Sequence, residues 1–358
     1  MFYFESGQFK KSYREDQAIL PIRQDRLGIA AIIAVAFLGV PFIMTDYLSN
    51  AIFVPFLVYT LAALGLNILV GYCGQLSLGT GAFLGVGAYA CYKLTTGFPE
   101  MNLIIVIILS GGVTALVGML FGLPSLRIKG FYLAVATLAA QFFIIWLFYK
   151  VPWLTNYSAT GQISMPPRDV FGMQITGPEA KPVVTYLFVL CFVTVFALLA
   201  KNMTRSRVGR SWMAIRDMDI AAELIGIRPL QTKLIAFGVS SFYIGMAGSM
   251  VFAIWLGAAE AGETFGIDQS FLVLFMIIIG GLGSILGSFL GAAFMVIMPI
   301  ALKQAMVDGL GMTAVTAKHV EIILLGVLIV FFLIVEPHGL ARLWRLGKEK
   351  LRRWPFPY

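Results

Sequence analysis

The side chains able to do chemistry in this sequence are few, and they gather in three places. The first is Met203 to Lys233, MTRSRVGRSWMAIRDMDIAAELIGIRPLQTK, which together with Lys201 sets seven basic residues against three acids. The second is the glycine-rich run Gly65 to Tyr89, where Asn67, Gln75, Ser77 and Thr80 stand among apolar neighbours. The third is Gly280-Gly281-Leu282-Gly283-Ser284, set in the middle of another apolar stretch. Amides, hydroxyls and bare backbone can hold a small polar solute or tie helices together, and a charged helical surface can dock a soluble partner. None of these activates a nucleophile. The chain has no GxxxxGK followed by Ser or Thr, no HExxH, no GxSxG and no paired-cysteine motif, so nucleotide, metal and catalytic centres are not expected in it. His319 and His338 stand apart near the ends of the last apolar run, and Cys73, Cys91 and Cys191 read as small packing residues.

The elements that must position these groups are membrane helices. The 358 residues are 59% hydrophobic and only 12% charged, where a soluble domain of this size carries about a quarter charged residues. Candidate spans cover 27–46, 48–70, 75–94, 101–122, 131–149, 181–201, 232–255, 270–302 and 319–335, most of them long enough to cross a hydrocarbon core about 30 Å thick. The fold class is therefore an all-α polytopic membrane protein. A net charge of +8 does not indicate nucleic acid, because the charges cluster beside the spans as the positive-inside rule requires.

The tail 1–26, with Lys10, Lys11, Arg14, Arg23 and Arg26, lacks the composition of a cleavable signal and is expected to stay in the cytoplasm. Alternating from there puts Arg127, Lys129 and the segment 202–232 inside. Asp46, Glu100, Glu260, Glu263 and Asp268 fall outside. The basic tail 341–358 (Arg342, Arg345, Lys348, Lys350, Arg352, Arg353) also belongs inside, and nine crossings would leave it outside. The run 270–302 is too long for one span at 1.5 Å per residue, and its central glycines break it. About ten transmembrane or discontinuous helices result, with both termini cytoplasmic. Of the 26 basic residues, only Lys93, Lys150, Arg168, Lys181, Lys303 and Lys318 are not cytoplasmic on this topology. The membrane domain spans 27–340, with an outer loop at 150–180 whose Pro, Gly and Ser content forbids a long helix.

Inside the spans ionisable residues are scarce, with Glu321 near an end, which argues against a proton relay. Asn67 and Gln75 are costly to expose to lipid, so they either bond neighbouring helices or line a polar path. Gly280, Gly281, Gly283 and Ser284 admit two readings: a discontinuous helix whose backbone dipoles face a solute, or a packing seam on which Gly283, Gly287 and Gly291 share one face. Between Ile215 and Ile225 a continuous helix is predicted, with Ile215, Met218, Ala222 and Ile225 on an apolar stripe and Arg216, Asp219 and Glu223 on another. Gly226 caps it and Pro229 stops it.

GLNILVGYCGQLSLG, SLRIKGFYLAVATL, RSRVGRSWMAIRDMDIAAELIGI, IGGLGSILGSFLGA and EPHGLARLW, in that order, resemble the LivM-type permeases, membrane subunits of importers in the branched-chain amino acid class. Thr80 stands where the family often carries His. The family's coupling motif, EAA followed three residues later by Gly, is matched by Ala221, Ala222 and Gly226, with Ile220 in place of the acid. The resemblance implies a LivH-type permease partner, two ATP-binding subunits and a periplasmic substrate-binding protein, on the bacterial inner membrane. ATP would be bound by the partner subunits, with no cofactor in this chain. It also implies that Ile215, Met218, Asp219, Ala221, Ala222, Glu223 and Gly226 couple to the ATPase. The solute would be a branched-chain or related amino acid; urea, amides and aromatic acids are alternatives within the class. A channel or secondary transporter working without an ATPase is the alternative outside it, and a structural or assembly protein a third.

Overall fold

A computed structural model describes residues 12, 23–125, 132–158, 162–177, 180–309, 311–335 and 338–353. Most of the expected cytoplasmic tail 1–26, the basic residues Arg127 and Lys129, and positions 354–358 lie outside the described residues.

The described chain is almost wholly helical. Among the described residues nine helical stretches are long and apolar enough to cross a membrane: α1 (Arg26–Ile43), α2 (Leu48–Tyr72), α4 (Leu103–Ser125), α5 (Tyr132–Lys150), α6 (Pro182–Arg205), α9 (Pro229–Leu256), α10 (Ile267–Gly280, with the short helix before it reaching back to Ala261), α11 (Ile285–Gln304) and α12 (Ala314–Val335). A tenth, α3 (Thr80–Gly97), is 18 residues long and richer in glycine. Two short helices, α7 (Arg207–Asp217) and α8 (Asp219–Leu224), make up the polar segment between α6 and α9, and α13 (Leu340–Arg353) closes the chain.

The split of 270–302 is present, since α10 and α11 form an antiparallel hairpin around Gly280–Ser284. The expected span 75–94 is corrected at its start: the helix begins only at Thr80, and Cys73–Gly79 is not helical.

At the centre stands α9, packed on α2, α3 and α4. Its sequence, PLQTKLIAFGVSSFYIGMAGSM, offers small residues all round, so neighbouring backbones come close. A Cβ on Gly111 would lie 2.7 Å from Met246 Cγ, Gly122 faces Phe237, and Gly87 and Gly248 sit directly on the carbonyls of Gly245 and Leu84. Ser249 Oγ donates to Gly87 O at 3.0 Å across this seam. These pairs also fix direction. Gly111 with Met246 and Gly122 with Phe237 make α4 antiparallel to α9, whereas Phe83 with Phe237 and Tyr92 with Phe252 make α3 parallel to it. Tyr59 against Trp255 and Gly65 against Tyr243 run α2 antiparallel. The crossings therefore alternate as the charge distribution requires, and α13 ends on the side of the polar segment.

The periphery differs. No residue of the α1 span is buried, and only 6% of the α12 span is, so these two helices present apolar surface outward. On the opposite face from α7 and α8, the outer loop forms one 3₁₀ turn and three short strands, β1 (Ile163–Ser164), β2 (Arg168–Val170) and β3 (Met173–Thr176). β2 and β3 form a hairpin, and β1 pairs with β4 (Ala258–Ala259) beyond α9.

Candidate functional site

The glycine break between α10 and α11 is held from α2. Gly281 and Gly283 have φ of +117° and +71°, a backbone region costly for any residue with a Cβ. Ser284 then caps α11 by accepting from Gly287 N at 3.1 Å. Asn67, buried on α2, grips this turn with its whole amide: Oδ1 accepts from Gly283 N at 2.8 Å, and Nδ2 donates to Ser284 O at 2.8 Å and to Ser288 Oγ at 3.0 Å. The expectation that Gly283 shares a helix face with Gly287 and Gly291 is corrected, because α11 starts only at Ile285. Gly287 and Gly291 do form a seam, against Gly280 and Met276; Gly283 turns the chain instead.

Below that turn sits the polar segment. Its predicted continuous helix, Ile215 to Ile225, is in fact two. Met218 is extended (φ −160°, ψ 102°) and separates α7 from α8. The cause lies in the flanking polar residues. Asp217 and Asp219 favour helix ends over interiors, and each charged group is drawn to a different element. Arg216 Nη1 donates to Gly71 O at 3.0 Å while its guanidinium pairs with Asp217 at 2.9 Å. Asp219 pairs with Lys233, at the base of α9, at 2.6 Å. Arg216 also fills the space over two glycines: a Cβ on Gly74 would stand 3.0 Å from Arg216 Cγ, and one on Gly283 would stand 3.4 Å from Nη1. One guanidinium thus touches the end of α2, the glycine break and α7.

The apolar stripe divides accordingly. Ile215 and Ala222 are buried and pin the two short helices to the membrane domain, as does Trp212, whose Nε1 donates to Thr232 O at 3.2 Å. Met218, Ile220, Leu224 and Ile225 point outward, 65–85% exposed. Ala221 and Glu223 are exposed beside them. Gly226, at φ +88°, ends α8 with Ile227 N donating to Ala222 O at 3.1 Å, a Schellman-type cap. The result is an apolar knob on the outer side of the polar segment, held from behind by these contacts.

The third group marks where α3 begins. Gly71 lies beside Gly283, past the end of α10, yet Gly81 N bonds Ser270 Oγ near the start of α10. From Ser270 to Gly281 the α10 axis rises ~16 Å, so Cys73–Gly79 climbs that distance and α3 starts within the membrane. Its first amides are met by other helices: Ala82 N by Gln141 Oε1 at 2.6 Å, Gly81 N by Ser270 Oγ at 2.8 Å and Leu78 N by Thr137 Oγ1 at 2.9 Å. Gln141 Nε2 also donates to Phe265 O at 2.8 Å, so this one amide joins α3, α5 and the start of α10. Ser77 is buried with its Oγ 3.5 Å from Gly79 N, and Thr80 Oγ1 is buried without a hydrogen-bond partner among the described residues. Gln75 reaches only the local Cys73 O, at 3.4 Å. Sequence reasoning missed Gln141, although a lone amide in an otherwise apolar helix signals an interhelical bond. Thr137 and Ser270 carried no signal distinguishing them from ordinary helix hydroxyls.

Glycine-built helix seams, a helix that starts within the membrane and an apolar knob between two spans fit a transport subunit, and the known proteins agree. Residues 48–333 match the family model described as "Branched-chain amino acid transport system / permease component". Over 312 residues the chain is 29% identical to the high-affinity branched-chain amino acid transport system permease protein LivM of Salmonella typhimurium and 28% identical to that of Escherichia coli. Each match covers 81% of this chain and 69% of the relative. A probable branched-chain amino acid transport permease protein LivM of Methanocaldococcus jannaschii is 26% identical over 244 residues, 66% of this chain and 68% of that one. No solved structure matches. The chain, a multi-pass membrane protein, belongs to the family of branched-chain amino acid transport system permease components.

Proposed function

We propose that this chain is the translocating subunit of an ATP-driven importer in the inner membrane, carrying branched-chain or closely related amino acids. One of two ATP-binding subunits docks on Met218–Gly226, a LivH-type permease subunit completes the pathway, and a periplasmic binding protein delivers the solute. The observation that carries this reading is the exposed knob of Met218, Ile220, Leu224 and Ile225, which stands on a segment braced by Arg216, Trp212 and the Asp219–Lys233 pair. Apolar anchors of this size, rimmed by charge, are the usual centres of protein–protein contacts.

Closing of the ATP-binding subunits pulls on this knob. Arg216 passes the displacement to Gly71 and to the neighbouring glycine break, which Asn67 ties to α2, so the inner ends of α2, α10 and α11 move together. The pathway then exchanges outward and inward access as a population shift between two states. Among the described residues of the spans no chain of acidic or basic groups competes as an energy source; Glu321 is paired with Lys318 at 2.8 Å.

The test is Leu224→Glu in a purified importer reconstituted with its ATP-binding subunits. Burying an unpaired carboxylate at the contact loosens the ATP-binding subunits at least tenfold and abolishes ATP-dependent uptake, while the permease itself stays folded. Undiminished subunit binding and uptake would rule the docking surface out. The solute is identified separately, by which amino acid drives uptake in competition.

A further inference from the structure

The cytoplasmic helix α13 has no part in the docking just described, and its chemistry differs from that of α7 and α8. Its sequence, LARLWRLGKEKLRR, sets six basic residues against Glu349. Leu340, Leu343, Trp344 and Gly347 recur at i, i+3, i+4 and i+7 and so share one face, with Leu346 on its flank. The start of the helix is fixed beneath the glycine break. A Cβ on Gly281 would lie 3.1 Å from Ala341 Cβ, and Arg342 bonds His338 Nδ1 at 3.1 Å. Arg345, one turn on, lies within electrostatic range of Tyr72 and Lys201, at the inner ends of α2 and α6. These contacts hold the start of the helix against the inner end of the membrane domain. Trp344 is 58% exposed, and Leu343 and Leu346 are 45% and 40% exposed, whereas Ala341 at the start of the helix is buried.

We infer that α13 is an interfacial helix that seats Leu343, Trp344 and Leu346 at the boundary between headgroups and acyl chains of the inner leaflet and draws anionic phospholipid headgroups to Arg345 and Lys350. Three observations select lipid as the occupant. The helix comes next in sequence after α12, whose exposed Ile322, Ile323, Val327, Phe331 and Ile334 present an apolar outward surface. Trp beside Lys and Arg is the composition of a membrane interface, where the ring sits at headgroup depth and the basic stems reach outward. An amphipathic helix rich in Lys and Arg binds an anionic surface through both area and charge.

The full-length chain in nanodiscs tests this. Trp344 emission is obtained as the difference between wild type and Trp344→Phe, since the chain has six tryptophans. Phospholipids brominated high on the acyl chain are the quenchers, in phosphatidylcholine alone or mixed with phosphatidylglycerol. The expected result is quenching of the Trp344 signal, stronger from brominated phosphatidylglycerol than from brominated phosphatidylcholine. Arg345→Gln and Lys350→Gln each weaken the phosphatidylglycerol preference roughly fivefold, and 1 M salt removes it. Both side chains are exposed, so these variants fold. Absence of quenching in every lipid overturns the inference, as does equal quenching by the two brominated lipids. Quenching that disappears when the ATP-binding subunits are added would instead assign the face to a protein contact.

Discussion

Asn67→Ala probes the joint on which the proposed motion depends. The amide makes three hydrogen bonds to the turn between α10 and α11 and the start of α11, all between 2.8 and 3.0 Å, the one to Ser288 Oγ fully buried. Hydrogen bonds between membrane helices average about 0.6 kcal/mol and reach about 1.7, so the three together contribute roughly 2 kcal/mol. Removing the amide also leaves the Gly283 N–H without its acceptor inside the protein, a penalty of about 1–3 kcal/mol where water cannot replace it. The expected loss is thus about 3–5 kcal/mol, against well under ~1 kcal/mol for an alanine on the outward face of α12. Unfolding in mixed micelles with increasing SDS, followed by tryptophan fluorescence, measures it. A cycle with Ser288→Ala isolates one bond, with a coupling of about 0.6–1.7 kcal/mol expected. If Asn67→Ala falls within 0.5 kcal/mol of wild type by this ~0.5 kcal/mol threshold, or if the cycle shows no coupling, the turn is not held by this side chain.

Arg216→Gln keeps a donor near Gly71 but loses the fork and the charge; the exposed pair with Asp217 contributes under ~1 kcal/mol, so the chain folds, yet uptake per ATP hydrolysed in the reconstituted importer falls by roughly tenfold or more. Equal coupling ratios for the two proteins would count against Arg216 as the link. Gly248→Leu drives a side chain into the Leu84 carbonyl and, as overpacking without a rotamer escape, costs about 3 kcal/mol or more, so little folded protein is recovered from membranes. Gly326→Ala, with open space around it, is the control and raises helix propensity by up to ~1 kcal/mol. Gln141→Leu, matched in volume, strands the amide of Ala82 and the carbonyl of Phe265; the thermal midpoint drops, and uptake drops more than ATP hydrolysis if the start of α3 borders the solute path.

The fold was legible because its strongest determinants are one-dimensional. Apolar length gives the spans, Lys and Arg positions give the alternation, and Gly280–Ser284 marks the split that lets Arg342 and its neighbours end on the same side as Arg216. The start of α3 was not legible, because Gln75, Ser77 and Thr80 are compatible with helix and only the side chains of Thr137, Gln141 and Ser270, far away in sequence, stabilise the open backbone. The same limit applies to Met218. Helical periodicity on either side predicts a continuous helix, and the break is set by Arg216 reaching Gly71 and Asp219 reaching Lys233, partners that periodicity does not see. Asn67 was recognisable as a buried amide needing partners, but its acceptors and donor belong to a turn more than 200 residues away.

The pairing of Ile163 with Ala259 and of Ser164 with Ala258 bears on how the chain is made. The two strands are separated by roughly a hundred residues, and closing a loop of that length costs on the order of 4 kcal/mol, more than two residue pairs return. While the ribosome is still extending the chain, the outer loop emerges and must wait, unpaired, through insertion of α6 and α9. The stitch forms only after those helices have docked, so it is a late event in biogenesis and a marker of a completed bundle. An Ile163→Cys probe should accept a membrane-impermeant thiol reagent in chains truncated before Ala258 and be shielded in complete ones; equal labelling of the two would place the stitch earlier in assembly.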